Sequence, residues 1–178
     1  WIPKNFPIGV NLGKNKDTSL DRAYLDYLKG AKTFFSLADY LVVNVSSPNT
    51  AGLRELQQVN SLIQILGPIL DARAGSGAPS IPVLLKLAPE IEGQRLSSLI
   101  SHLDSWVDGW VLTNTLGYQG GGLSGAPLQQ ISEMRLAEAL KSTSKPTISS
   151  GGILSVPDAR SRLNVGASLI QIYTGYVY

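Results

Sequence analysis

Six short apolar runs punctuate the chain, "PIGVNLG", "YLVVNVS", "IPVLLKLA", "DGWVLTN", "KPTISSGG" and "SLIQIYT". Each has the length of a β-strand, and several are apolar on successive rather than alternate residues, the pattern of strands buried on both faces. Segments of helical period lie between them. Leu20, Ala23, Tyr24, Tyr27, Leu28 and Ala31 recur at steps of three and four and predict one apolar stripe, with Thr18 and Asp21 as a weak capping box at its start. Val59, Leu62, Ile63 and Leu66 repeat the pattern up to Gly67 and Pro68, where the helix is expected to end or kink. Leu96, Leu99, Ile100 and Leu103 predict a third stripe, Leu128, Ile131 and Met134 begin a fourth, and a shorter helix follows Pro157. Such alternation is the signature of βα units around a parallel sheet, about six of them here, the last cut off after its strand.

With 178 residues, 43% hydrophobic and 16% charged, the chain suits one globular domain over residues 1–178. The Gly, Ser and Pro content of "ARAGSGAPS" marks a loop between units. A net charge of +2 without any Lys- or Arg-rich run argues against a nucleic-acid partner. Cysteine is absent, which removes disulfides, thiolate metal sites and cysteine nucleophiles. The single histidine, His102, falls in "LSSLISHLDSW", an outer helix by its pattern, so no metal site is expected. The apolar runs are too short to span a bilayer, and "WIPKNFPIGVN" lacks the charge pattern of a signal or transit peptide.

Two architectures use βα units, the doubly wound open sheet and the eight-fold barrel. Polar residues at the C-terminal ends of the runs help to choose between them. They are Asn11; Asn44 with Ser46 and Ser47; Lys86; Thr113, Asn114 and Thr115; Gly151 and Gly152; Tyr173 and Thr174. Every strand contributes, which suits a barrel mouth better than a single crevice. The expected class is therefore α/β, with the TIM-barrel type favoured over the open sheet, and against it stands the number of units, about six where a closed barrel needs eight.

Lys86 lies between leucines on a buried strand, where an ammonium calls for an anion or strong acceptors. That partner is a ligand, or in the plainer reading a carboxylate such as Glu90. The Gly pair in "ISSGGILSVPDA" follows a strand and precedes a helix, which lets backbone N–H groups approach a phosphate; it is equally a turn. "GGGLSGAP" is read as a glycine-rich loop that closes over a ligand or merely connects. "NVSSPNT" is an Asx or Ser turn locked by Pro48, or a cluster of donors and acceptors for a small polar ring.

Taken in order, "GVNLGKNK", "LVVNVSSPNTAGLREL", "LLKLAPEI", "VLTNT", "GGLSGAPL", "SSGGILSVPDA" and "GASLIQIYTG" resemble the dihydroorotate dehydrogenases of class 2, the quinone-dependent form. The resemblance implies a (β/α)8 barrel that holds FMN at its mouth and oxidises (S)-dihydroorotate to orotate in pyrimidine synthesis. By it, Ser47 is the general base that removes the C5 proton while hydride leaves C6 for the flavin. Class 1 enzymes carry cysteine at this place, so the serine implies a quinone acceptor. Asn44, Asn49, Asn114 and Thr115 match residues that hold the orotate ring and carboxylate. Asn11, Asn44, Lys86 and Thr113 match flavin contacts, and Ser124, Gly125, Gly151, Gly152, Tyr173 and Thr174 match contacts to the ribityl chain and phosphate. A serine hydroxyl is a weak base, so burial or a relay is required, with Thr50 the nearest candidate in sequence.

The chain also departs from the family. The family's first two barrel strands, with an orotate-binding lysine and asparagine, have no counterpart before Trp1, nor has the helical pair of the quinone tunnel that touches the membrane. The link from "TNT" to "GGLSG" is only "LGYQG", and a last helix is missing after Tyr178. A fragment is therefore expected, its parent on the mitochondrial inner membrane or, alternatively, the bacterial one. The other readings are a non-catalytic remnant of the enzyme and an FMN barrel acting on another pyrimidine.

Overall fold

Strands apolar on consecutive residues have two faces to bury, and in the computed structural model, which describes residues 6–77 and 81–177, they bury both within one parallel sheet. Its strands are β1 (Gly9–Leu12), β2 (Tyr40–Asn44), β3 (Val83–Leu87), β4 (Gly109–Leu112), β7 (Thr147–Ser150) and β8 (Leu169–Gln171), adjacent in that order. All six expected strands are present. Between β4 and β7 a separate antiparallel hairpin, β5 (Leu116–Tyr118) and β6 (Gly121–Leu123), replaces the loop read from the glycine run. Gln119 at φ +45° and Gly120 at φ +79° turn it, the two positive φ values that a tight two-residue hairpin requires.

The convex face of the sheet carries Leu41, Val43, Leu85, Leu87, Trp110 and Leu112, which form the main core with the helices. These are α1 (Ala23–Phe34), α2 (Val59–Gly75), α3 (Gly93–Leu103), α4 (Gln129–Ala139) and α5 (Val156–Val165), with a last short turn of helix, α6 (Thr174–Val177). The concave face holds a second, smaller cluster of Val42, Leu84, Val111 and Ile148. The sheet is curled. On β3, Lys86 Nζ donates to Gln171 Oε1 of β8 at 3.1 Å. Three interstrand spacings of about 4.8 Å separate these strands, and side chains standing upright on a flat sheet would not meet across them. The fold is thus an arc of βα units of the barrel class.

Several local expectations are corrected. Ser19, not Thr18, is the residue before the first helical turn, a 3-10 turn over Leu20–Arg22, and it makes no side-chain cap. The proposed box sits one residue too early; Lys14 Nζ instead closes this loop on the carbonyls of Asn15 (2.8 Å) and Thr18 (2.5 Å). Tyr24 is exposed at the rim of its stripe, whereas Ala23, Tyr27 and Ala31 are buried. The second helix continues through Pro68 to Gly75, so Ala72–Gly75 are helical; residues 78–80 of the expected loop lie outside the described residues. The extra turns bury Ile69 and let Arg73 donate to Asp108 at 2.5 Å and to the Ile81 carbonyl at 3.1 Å, which offsets the missing proline N–H. In α4 the inward positions are Ser132, Arg135, Leu136 and Ala139, while Met134 is half exposed. Two inward polar residues, each hydrogen-bonded, defeat an apolar-period reading. His102 is exposed on α3, its Nδ1 2.7 Å from the Ser98 carbonyl.

Candidate active site

The segment after β2 is both a turn and a cluster of polar groups. Asn44 Oδ1 accepts from Ser46 N at 3.2 Å, and Ser47 Oγ accepts from Asn49 N at 3.3 Å, an Asx and a Ser turn in succession. Yet Asn44 Oδ1 also accepts from Ser46 Oγ at 2.9 Å and from Asn114 Nδ2 at 3.1 Å, and Asn114 Nδ2 donates to Ser46 Oγ at 3.0 Å. Two strand ends 70 residues apart are joined through three side chains. Asn114 Oδ1 in turn accepts from Thr115 N at 2.8 Å. Ser46 is fully buried, Ser47 partly buried, and Asn49 exposed. Thr50 makes no hydrogen bond to Ser47 among the described residues, so the relay suggested by their proximity in sequence is not formed.

Arg54, which the sequence reading passed over, ties this cluster to the hairpin. Its Nε donates to the Ser46 carbonyl at 3.1 Å and one terminal nitrogen to the Thr115 carbonyl at 2.7 Å, while the other pairs with Glu90. Glu90 Oε1 also accepts from Gly117 N at 2.8 Å. Glu90 is therefore not the partner of Lys86. A side chain at Gly122 would come within 2.5 Å of Thr115 Oγ1 and 3.0 Å of Pro48, so the hairpin lies directly on the Ser47 turn. We predict that Arg54→Gln costs about 1–2 kcal/mol, because the Ser46 and Thr115 carbonyls lose a charged donor. It should also expose residues 116–123 to proteolysis. Denaturant unfolding and limited proteolysis read these effects; unchanged values on both would exclude the clamp.

Lys86 stands beside Asn44 in the strand register. Burial lowers its pKa from 10.5 to about 8. Its recorded partner is a neutral amide oxygen, that of Gln171, which no periodicity argument singled out. The ammonium is thus poised for an anion or an electron-rich oxygen.

A cavity of about 260 Å³ opens at the strand ends. It gathers Lys86, Thr113, Asn114, Thr115, Ser124, Gly125, Gly151, Gly152, Tyr173 and Thr174, ten residues named from the sequence, and adds Ser150 and Gln171. Asn44 is tied to the cavity through its bond with Asn114, Ser47 and Asn49 follow in the loop after β2 and are not among its lining residues, and Asn11 is exposed on β1 at the far edge of the arc. A wider groove of about 660 Å³ between α1 and α2 carries Lys32 and Asp71 but none of the strand-end residues. At the far end of the cavity Thr174 Oγ1 donates to Ser124 Oγ at 3.0 Å. Gly151 and Gly152 have φ of +110° and +67°, and a Cβ on Gly152 would fall 2.3 Å from Gln129 Cα, so only glycine fits this cradle. The start of α5 is already occupied, since Ser155 Oγ accepts from Asp158 N at 3.3 Å and Asp158 Oδ2 from Leu154 N at 3.1 Å. Ser155 and the Leu154 N–H hold the Asp158 carboxyl below its ordinary pKa. Any anion at the glycine pair is therefore met by loop N–H groups rather than by that helix end.

The donor set suits a flavin mononucleotide. The cavity is lined by a cation, amides, hydroxyls and a glycine cradle, the chemistry that a ring with carbonyl edges and a phosphate would require. The family model described as dihydroorotate dehydrogenase matches residues 1–178. Among curated proteins, the dihydroorotate dehydrogenase (quinone) of Acidithiobacillus ferrooxidans is 42% identical over 97% of this chain and 52% of its own length. The mitochondrial dihydroorotate dehydrogenase (quinone) of Mus musculus is 43% identical over 97% of this chain and 47% of its own. The crystal structure of DHODH from Eimeria tenella in complex with ferulenol superposes with a TM-score of 0.90 at 32% identity, covering 98% of this chain and 54% of that one. The chain spans about half the length of the curated relatives it matches.

Proposed function

The chain belongs to the dihydroorotate dehydrogenase family, and from that premise we propose that the protein oxidises (S)-dihydroorotate to orotate, using bound FMN and a quinone, in the synthesis of pyrimidine nucleotides. One observation carries the reading: the Asn44–Ser46–Asn114 hydrogen bonds join the turn that bears Ser47 to the cavity lined by Asn114 and the half-buried Lys86. FMN, when bound, supplies the two-electron acceptor that these side chains lack.

The residues then divide by chemistry. Asn44, Asn49, Asn114 and Thr115 offer amide and hydroxyl groups to the ring and carboxylate of the substrate. Ser47 takes the C5 proton, and its partial burial and place beneath the hairpin limit access of water. Lys86 presents positive charge to the electron-rich edge of the flavin ring, with Thr113 beside it and Asn11 at the edge of the arc. Ser124, Gly125, Gly151, Gly152, Tyr173 and Thr174 hold the ribityl chain and phosphate. The serine at position 47 and the quinone-dependent names of the relatives support a quinone as final acceptor. The name of the mouse relative supports a mitochondrial setting, and the bacterial relative supports a bacterial one as the alternative; in either the quinone acceptor favours the inner membrane, reached through a membrane-touching segment other than these residues.

The intact protein, kept anaerobic with its flavin bound, should bleach in visible absorbance when dihydroorotate is added and recover colour when a quinone follows. Flavin that dithionite bleaches but dihydroorotate does not would overturn the assignment of substrate.

A further inference from the structure

Arg162 on α5 is fully buried, one of the two largest side chains so enclosed. Burying a guanidinium is unfavourable unless its donors are used, and the use made of these is specific. One terminal nitrogen donates to Ser132 Oγ at 2.8 Å and Ser149 Oγ at 3.3 Å, the other to the carbonyls of Gln129 at 2.5 Å and Gly151 at 3.1 Å. Nε lies 3.3 Å from Glu133 Oε2 without hydrogen-bond geometry. Ser132, itself fully buried, has one hydroxyl proton and three carbonyls in reach, Gly151 at 2.7 Å, Leu128 at 2.9 Å and Gln129 at 3.1 Å, and the shortest of these contacts is to the same Gly151 oxygen. Two buried donors therefore converge on one peptide oxygen.

The consequence follows from peptide geometry. The 151–152 bond is trans, so its C=O and N–H point in opposite directions. With the Gly151 oxygen drawn back toward α4 and α5, the Gly152 N–H faces away from them, on the side where both glycines line the cavity. That N–H has no hydrogen-bond partner among the described residues although Gly152 is buried. An N–H that lines the cavity and is left unpaired by the protein is available to an acceptor from a ligand. We propose that Arg162, with Ser132, is a positioning residue that turns the Gly151–Gly152 peptide so that its N–H meets an oxygen of the ligand's phosphate. This rests on the FMN reading above and concerns only the phosphate end.

The test compares FMN with riboflavin, which has the same ring and ribityl chain but no phosphate. Intact protein is stripped of flavin, and both ligands are titrated by flavin fluorescence against wild type, Arg162→Met, Arg162→Lys and Ser132→Ala. Arg162→Met should weaken FMN about 10-fold while riboflavin changes less than about 2-fold, the loss of roughly one charge-assisted hydrogen bond. Ser132→Ala, nearly isosteric and so safe for folding, should move the FMN-to-riboflavin ratio in the same direction by a few-fold, on the order of one neutral hydrogen bond. Arg162→Lys should recover part of the loss. Equal weakening of both flavins, or an unmoved ratio in Ser132→Ala, would overturn the positioning role and leave the flavin reading intact. A folded wild type that binds neither flavin would overturn both.

Discussion

Replacing Ser47 with alanine is expected to slow reduction of the bound flavin by dihydroorotate about 10²- to 10⁴-fold, the usual worth of a positioned general base. The turn that carries Ser47 does not depend on its hydroxyl. Asn44 Oδ1 still receives Ser46 N and Asn114 Nδ2, and Arg54 still holds the Ser46 carbonyl. The bond lost is a long one, from Asn49 N at 3.3 Å, in a partly solvated loop. Stability should therefore change by less than about 1 kcal/mol. Flavin content should be unchanged, because apart from Asn11 on β1 and Asn44 on β2 the flavin-side groups lie on β3, β4, β7 and beyond, and the hydrogen bonds that hold the Asn44 side chain do not involve Ser47. Anaerobic stopped-flow bleaching at saturating dihydroorotate measures the rate, and reduction by dithionite controls for the flavin itself. A wild-type rate in the variant would remove Ser47 from the chemistry.

Lys86→Met is expected to act in opposite directions on the empty and the loaded protein. Among the described residues the Lys86 ammonium donates to the Gln171 amide oxygen and has no carboxylate partner, and burial lowers its pKa to about 8. In the unfolded chain a lysine titrates near 10.4. Below about 8 both states carry the proton, and the folded state bears the whole penalty, up to about 3 kcal/mol; the penalty fades as pH rises toward about 10.4. Methionine has similar volume and no charge, so the variant should be more stable than wild type at pH 7 by about 1–3 kcal/mol, with the gap closing toward pH 10. With flavin the sign reverses. Loss of a charged donor should weaken FMN by about 10- to 100-fold. Denaturant midpoints across pH and flavin titrations give the two halves. A variant less stable than wild type at every pH would mean that Lys86 is a structural cation rather than one held for a ligand.

The sheet was legible in the sequence because its cause is local. Consecutive apolar residues leave a strand no solvated face, and the helical stripes between them bury the convex side, so strands and units were placed from pattern alone. The candidate site was legible in outline for a related reason. In a parallel arrangement every strand ends on the same side, so polar residues following apolar runs gather at one mouth, as Lys86, Thr113, Asn114, Gly151 and Thr174 do. What pattern did not reach was the choice of partners. The reading offered Lys86 to Glu90, four residues away, but curling of the sheet brings Gln171, 85 residues away, to the ammonium and leaves Glu90 to Arg54. The fourth helix turned inward on Ser132 and Arg135 because tertiary hydrogen bonds made polar burial tolerable, and no count of apolar residues registers that. Arg162 lay unremarked in a helix of ordinary polarity until packing closed it behind the glycine pair. Sequence alone determined which residues lie on strands and which end at the mouth, since backbone pairing and burial respond to neighbours a few positions away. Only the tertiary structure decided which charges are compensated and which N–H groups are left for a ligand, since those depend on distances set by the curvature of the whole sheet.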